Sequence, residues 1–301
     1  MRILLTGATG FLGRNLSHFL VEKGYDVTVI GRDVEKLKTF FAGLAVSKRG
    51  TDYSAEGLVE LTRDQDVVIH LASQLMQRDT HPLKISFFDA NLRIVENIIL
   101  ACEANKIGKF INTSSISVYP LEQNLVESQA TSPWTIYGVS KANIDVYLDY
   151  IQKKITTRIV SLRLARLFGY GERAGLMFTD FITKAINKEP LTINGEGKST
   201  IEYIYIEDAI DAISQFVENA DKQGVFNVGS GVSYSVKDIA QVVNNVFDNE
   251  GNIQFLTDRP DGIYGSVMDI SKMKSEMNWG AKWDLVRSVK DIKRKIENER
   301  K

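Results

Sequence analysis

The chain has 301 residues, with 37 lysines and arginines against 38 aspartates and glutamates. That length can bury a large core in one domain or two lobes. Balanced charge, with no basic stripe interleaved with aromatics, argues against nucleic-acid binding, and the one cysteine, Cys102, cannot close an internal disulfide.

Cys102 reads as a small buried hydrophobe on a helix. The three histidines are scattered and no Cys/His cluster has metal spacing, so no metal is expected. His70 ends the apolar run DVVIHLAS and reads as packing or local hydrogen bonding. The chain opens on a strand, MRILLTG, without the regions of a signal peptide. No apolar run approaches the ~20 residues of a membrane span. A soluble cytoplasmic protein, with no nucleic-acid or membrane partner, is expected.

In chain order, strands are predicted over 2–6, 26–30, 44–48, 66–71, 109–114 and 157–163. Helical patterns lie between most of them, over 11–22, 34–41, 86–104 and 136–154. Short β-rich runs alternating with helices argue for a parallel sheet covered on both faces. The fold class is therefore α/β, a Rossmann-type doubly wound parallel sheet. After Arg163 the rhythm breaks. ARLFGYGERAGL reads as a glycine-rich loop, followed by a helix over 177–187, strands LTI and TIEYIYI, and a helix over 207–218. FNVGSG reads as strand and turn, SYSVKDIAQVVNNVF as a helix opened by a serine cap, and the charged C-terminal stretch as an amphipathic surface helix. A smaller mixed α/β lobe over 166–301 thus follows a Rossmann-type domain over 1–165.

TGATGFLG follows the first strand and opens the first helix. Gly7 permits the tight turn, Gly10 the approach of a pyrophosphate, and Gly13 close packing of helix on strand. The N–H groups of the helix start, at Phe11 and Leu12, face the phosphates. The motif sits at the junction it requires.

TIYGVSK holds Tyr137 and Lys141 at i and i+4, on one helical face. A phenol is a poor base at neutral pH, and a nearby ammonium favours the phenolate. NTSSISVYP follows the fifth strand, where ligands bind in this architecture. Ser115 there would hold a hydroxyl beside the phenol.

Together these three motifs resemble the extended short-chain dehydrogenase/reductase superfamily, in its NAD-dependent epimerase/dehydratase family. The resemblance implies that Ser115 is the catalytic serine, Tyr137 the acid/base and Lys141 its activator, the last two also contacting the cofactor. It extends along most of the chain. HLAS matches the fourth-strand signature, placing Leu71, Ala72 and Ser73 at the cofactor, and FFDANLRIVENII places Asn91 near it. LRLARLFGYGE matches a crossover segment, with Ala165 toward the cofactor and Arg166 toward the substrate. RPDGIYGSVMDISK matches the ending whose arginine, here Arg259, binds a diphosphate in nucleotide-sugar members. Such members often pair as homodimers through two long helices, here 86–105 and 136–154.

Three departures shape the expectation. The second strand ends VIGRD, with Gly31 where NAD-using members commonly carry aspartate. Glycine leaves room for a 2′-phosphate and Arg32 could pair with it, so NADP(H) is favoured and NAD(H) is the alternative. On the other reading Arg32 faces solvent and Asp33 caps the next helix. Ile201 stands where a second diphosphate-binding arginine is expected, and Lys198 or Arg166 are the cations that could replace it. Ile116 and Ser117, rather than Asp-Glu, follow Ser115, which disfavours 4,6-dehydration. The expected activity is hydride transfer at a nucleotide-sugar carbinol or carbonyl, at C4, by an epimerase or a ketoreductase. The competing class is a non-catalytic NADP(H)-binding sensor or scaffold. The sugar pocket would draw on Leu75, Met76, Met177 and Phe178.

Overall fold

The computed structural model describes residues 1–73, 86–262 and 265–299. Leu75 and Met76 lie outside them, as do Ile263 and Tyr264 of the RPDGIYG segment. The chain divides into two compact units. One comprises Met1–Pro120, Glu127–Leu164 and Ile210–Phe226; the other comprises Leu121–Val126, Ala165–Ala209 and Asn227–Lys301.

The first unit opens with β1 (Arg2–Thr6), α1 (Phe11–Glu22), β2 (Asp26–Gly31), α2 (Val34–Phe40), β3 (Val46–Gly50) and α3 (Ala55–Thr62). It continues with β4 (Val67–His70), α4 (Ser86–Ala104), β5 (Lys109–Ser115), α5 (Ile136–Ile151) and β6 (Arg158–Leu164). The run VVIH of β4 is buried at every position, and so is KFINTSS of β5, as expected of strands covered on both faces. The chain order in the sheet is β10-β6-β5-β4-β1-β2-β3, where β10 is Gly224–Val228. The pairs from β3 to β6 are parallel. This is the doubly wound order, and strand order reverses between β1 and β4. Leu58 of α3, Val95, Ile98 and Ile99 of α4, and Ile144 and Leu148 of α5 pack with Leu4, Val68 and Phe110 into one core cluster. Cys102 belongs to that cluster, and burial pushes its thiol up.

The expected strand over 44–48 begins two residues later, because Val46 is the residue that registers with Val27 of β2. Helix α3 has no counterpart among the predicted elements. It starts at Ser54, whose side chain accepts from the Gly57 N–H.

The second unit carries β7 (Arg166–Phe168), α6 (Met177–Ile186), β8 (Leu191–Asn194), β9 (Thr200–Tyr205) and the start of α7 (Ile206–Glu218). After β10 come β11 (Ser233–Ser235), α8 (Val236–Val246), β12 (Ile253–Leu256), α9 (Ser271–Met277) and α10 (Leu285–Glu299). Strands β11, β9 and β7 form a three-stranded sheet, and β12 pairs with β8 in parallel. Ser235 opens α8 through a capping box with Asp238, as its serine predicts. Glu202 is 2% exposed and accepts the Gly231 and Met268 N–H groups, each at 2.8 Å. Asp208 accepts the Lys282 and Trp283 N–H groups at 2.9 and 3.0 Å. No helix among the described residues is long and apolar enough to cross a membrane.

Candidate active site

The crevice beyond the carboxyl ends of β1 and β4 is the switch point of the first unit. Gly7 turns the chain there with φ +68°, and a Cβ on it would stand 2.5 Å from the Ala72 backbone nitrogen. A Cβ on Gly13 would meet the Gly7 carbonyl oxygen at 2.3 Å, so α1 packs directly on the turn. The Thr6 hydroxyl ties the two strand ends together. It bonds His70 Nδ1 at 2.8 Å and accepts the Ala72 N–H at 3.2 Å. Burial pushes His70 down to about 3, so the ring is neutral and structural.

Helix α1 starts at Gly10 with no side-chain cap and no acidic residue in its first turn. The N–H groups of Phe11 and Leu12 therefore meet no capping side chain, at the positive end of the helix dipole. The Ser73 hydroxyl, after β4, has no partner among the described residues. An uncapped glycine turn with donors on two sides suits a dinucleotide pyrophosphate. Asn91 of α4 is buried and donates to the Ser140 hydroxyl of α5 at 3.2 Å.

Gly31 ends β2 against the Leu37 side chain, where a Cβ would find ordinary contacts. Arg32 is exposed, and its guanidinium lies over the Tyr53 ring at 5.6 Å. Asp33 caps α2 by accepting the Lys36 N–H at 2.9 Å. Tyr53 is missing from the sequence-derived set. Its backbone is left-handed, at φ 63°, and it is 7% exposed. Its hydroxyl receives a hydrogen bond from the Gly7 backbone. The signal for it was the aromatic residue following Asp52. Asp52 itself turns into the β3–α3 connection, bonding the Ser54 N–H at 2.9 Å.

Ser115, Tyr137 and Lys141 come together where β5 meets α5. Ser115 ends β5, and the chain turns at once through a 3-10 segment, Ile116–Val118. Tyr137 lies in the first turn of α5, which Thr135 caps. Gly138 lets this turn approach closely, since a Cβ there would stand 2.1 Å from the Ser117 carbonyl. Tyr137 and Ser115 share a side-chain hydrogen bond. Lys141 is 2% exposed, donates to the Thr113 carbonyl at 2.7 Å, and holds its Nζ 5.8 Å from the Tyr137 ring centre. Burial pushes Lys141 down to about 8, opposed by the Asp145 carboxylate. Burial pushes Tyr137 up to about 12, opposed by the Ser115 bond. The sequence argument expects the lysine to lower the phenol; here desolvation of the hydroxyl sets the direction.

Behind Lys141 sits a buried network absent from the sequence-derived set. Asp145 accepts from Ser161 Oγ at 2.6 Å, Ser114 Oγ at 3.0 Å and Arg163 Nε at 2.9 Å. Arg163 also donates to the Tyr119 hydroxyl at 2.7 Å and the Glu127 carbonyl at 3.2 Å. The i+4 spacing from Lys141 to Asp145 was the available signal.

Ala165, Arg166 and Arg259 belong to the second unit. Ala165 is buried and bonds the Val228 carbonyl at 2.9 Å. Arg259 is exposed on the loop after β12, which Asp261 pins by accepting the Lys198 N–H at 2.8 Å. Phe178 stacks on Phe168 at 4.2 Å. No group of three or more metal-ligating side chains occurs among the described residues.

A doubly wound sheet whose switch point opens on such a glycine turn, beside a Ser-Tyr-Lys cluster, defines an enzyme of the extended short-chain dehydrogenase/reductase type. The chain belongs to the NAD dependent epimerase/dehydratase family, whose model matches residues 3–229. UDP-glucuronic acid decarboxylase 1 of Arabidopsis thaliana is 27% identical, over 99% of this chain and 71% of its own. The dTDP-4-dehydro-6-deoxyglucose reductase of Escherichia coli is 26% identical, over 92% of each. Among solved structures, the UDP-N-acetylglucosamine 4-epimerase of Bacillus cereus matches with TM-score 0.85 and 27% identity, over 99% of this chain and 96% of that one. The UDP-glucuronic acid 4-epimerase of the same organism, in complex with UDP-glucuronic acid and NAD, matches with TM-score 0.82 and 25% identity, over 98% and 100%.

Proposed function

We propose that this enzyme is an NAD-dependent C4 epimerase of nucleotide hexoses. The observation that carries the reading is the Tyr137 hydroxyl, bonded to Ser115 and one turn from the buried Lys141. In this reading Tyr137 takes the proton of the C4 carbinol and returns it, while Ser115 Oγ holds the same oxygen. Lys141 supplies the neighbouring positive charge, fixed by the Thr113 carbonyl. A bound nicotinamide would supply the acceptor and donor of the C4 hydride. Gly7, Gly10, Phe11, Leu12, Gly13 and Ser73 would hold the pyrophosphate end, with Asn91 shaping the nicotinamide side. No carboxylate follows Ser115, which supports redox turnover at C4 without elimination.

NAD(H) replaces the NADP(H) expected from VIGRD as the proposed cofactor. Two observations support the change. Arg32 is laid over Tyr53, and Asp33 is committed to capping α2. The UDP-glucuronic acid 4-epimerase neighbour was solved with NAD. The test is to strip the protein, reload it with NAD(H) or NADP(H), and incubate it with nucleotide hexoses and with their 4-keto forms. A C4 epimer, resolved by NMR, is expected with NAD and with no net consumption of cofactor. Net consumption of reduced cofactor would make the enzyme a reductase, and equal turnover with NADP that is lost in Arg32→Ala would restore the phosphate reading.

Helices α4 and α5 also expose Leu100 at 53%, Val146 at 65% and Tyr150 at 59%. Val146 and Tyr150 are one turn apart on one face of α5. This apolar face supports a homodimer. Sedimentation is expected to give a dimer for the native chain and a monomer for Val146→Glu; a native monomer at micromolar concentration contradicts it.

A further inference from the structure

Lys141 is a buried amine whose one printed hydrogen bond does not account for a charge. It is 2% exposed, so water does little to stabilise an ammonium there. Its bond to the Thr113 carbonyl would survive loss of the proton, because a neutral amine still donates. A neighbouring anion acts differently, since it favours only the charged form. Helix α5 supplies that anion. Tyr137, Lys141 and Asp145 stand at i, i+4 and i+8, so the three share one face. Asp145 is 3% exposed, and its carboxylate is the charge that opposes the effect of burial on Lys141.

The carboxylate is fixed from two strands of the sheet. Its Oδ2 accepts from Ser114 Oγ of β5 at 3.0 Å and from Arg163 Nε of β6 at 2.9 Å. Its Oδ1 accepts from Ser161 Oγ of β6 at 2.6 Å. Strand β5 therefore carries Ser115 and, one residue earlier, a donor that holds Asp145. The other groups around Lys141, among the described residues, supply no such anion. Tyr137 is pushed up by burial to about 12 and is a neutral phenol around neutrality. His70 of β4 is neutral and feels the Lys141 charge as a repulsion. Arg163 is itself a cation, and Asn91 of α4 is uncharged and bonded to Ser140.

We propose that Asp145 is a positioning residue of the proton transfer, keeping Lys141 charged beside Tyr137 and so setting the upper pH edge of turnover. This rests on the roles given to Tyr137 and Lys141 in the preceding subsection and deepens them. Asp145 acts through Lys141, from the side of the lysine away from Tyr137 along the helix. Burial pushes Lys141 down to about 8, with Asp145 pulling the other way. Without the carboxylate charge the lysine loses its proton at a lower pH, and the stranded Arg163 guanidinium pushes in the same direction.

The test reads Lys141 directly. The full chain, loaded with NAD and carrying an NMR-visible carbon at lysine Cε, is titrated with base, and the signal lost in Lys141→Met identifies Lys141. Turnover is measured over the same pH range. In Asp145→Asn the Lys141 midpoint and the alkaline limb of turnover are both expected to fall by about 1 pH unit, as for an opposite charge removed from one helical turn away. Asp145→Asn combined with Arg163→Met guards against misfolding, because it leaves neither charge of the pair stranded in the core. Both values are expected to stay low in this double variant, since Lys141 still lacks its anion. A purely structural role predicts the reverse, with native values returning once the stranded charge is gone. A native Lys141 midpoint in the double variant overturns the proposal and leaves the epimerase reading standing. A lowered midpoint with an unmoved limb overturns it too, because Asp145 then sets no edge of turnover. A native chain that turns over no nucleotide hexose overturns the reading beneath it, and this one with it.

Discussion

Tyr137→Phe is expected to lower turnover by about 10²- to 10⁴-fold, the usual contribution of a positioned acid/base, while the protein stays folded and cofactor-loaded. The substitution removes one oxygen from a ring that Lys141 and the α5 backbone keep in place. Nothing else in the cluster can substitute for it. Ser115 is a hydroxyl with no base of its own, and His70 is buried, neutral and bonded to Thr6. Lys141 is tied to the Thr113 carbonyl. The check is steady-state turnover beside a direct titration of cofactor. Loss of turnover with cofactor affinity kept identifies the proton carrier. Turnover within about threefold of the native enzyme would remove Tyr137 from the chemistry, well below the factor that general acid–base catalysis contributes.

The second large effect is on stability. Asp145 is 3% exposed and Arg163 is 5% exposed, and their side chains meet at 2.9 Å. Asp145→Ala strands a buried guanidinium and also removes the acceptor of Ser114 and Ser161. Breaking such a pair from one side costs about 3–5 kcal/mol. Arg163 keeps its bonds to Tyr119 and Glu127, so the lower half of that range is expected. Urea unfolding of the native chain and the variant measures it. A loss below about 1 kcal/mol, the scale of an exposed ion pair, would mean that water reaches Arg163.

The sheet of the first unit was legible because strands such as β1 and β4 are apolar runs and the helices between strands have a clear period. The three chemical motifs were legible because their spacing is set by a turn or a helix, as with Tyr137 and Lys141. What escaped depends on partners far along the chain. Strand β7 reads as a glycine-rich loop, and only its pairing with β9, across Arg166 and Tyr203, makes it a strand. Strand β11 looks like the front of α8 until its pairing with β9 separates it. Helix α3 is short and contains Gly57, so its local signal is weak. The direction of Arg32 could not be read from VIGRD. It depends on Tyr53, whose place is fixed by a left-handed turn after β3.

Hydride transfer at C4 is the central claim, and one reaction tests it most directly. The NAD-loaded enzyme is run on a nucleotide hexose in deuterium oxide, and C4 of the product is examined by NMR. If the C4 hydrogen leaves as hydride and returns, the epimer carries protium at C4 and no solvent deuterium. Deuterium at C4 would mean that the hydrogen left as a proton, and would contradict the roles given to Tyr137 and the nicotinamide.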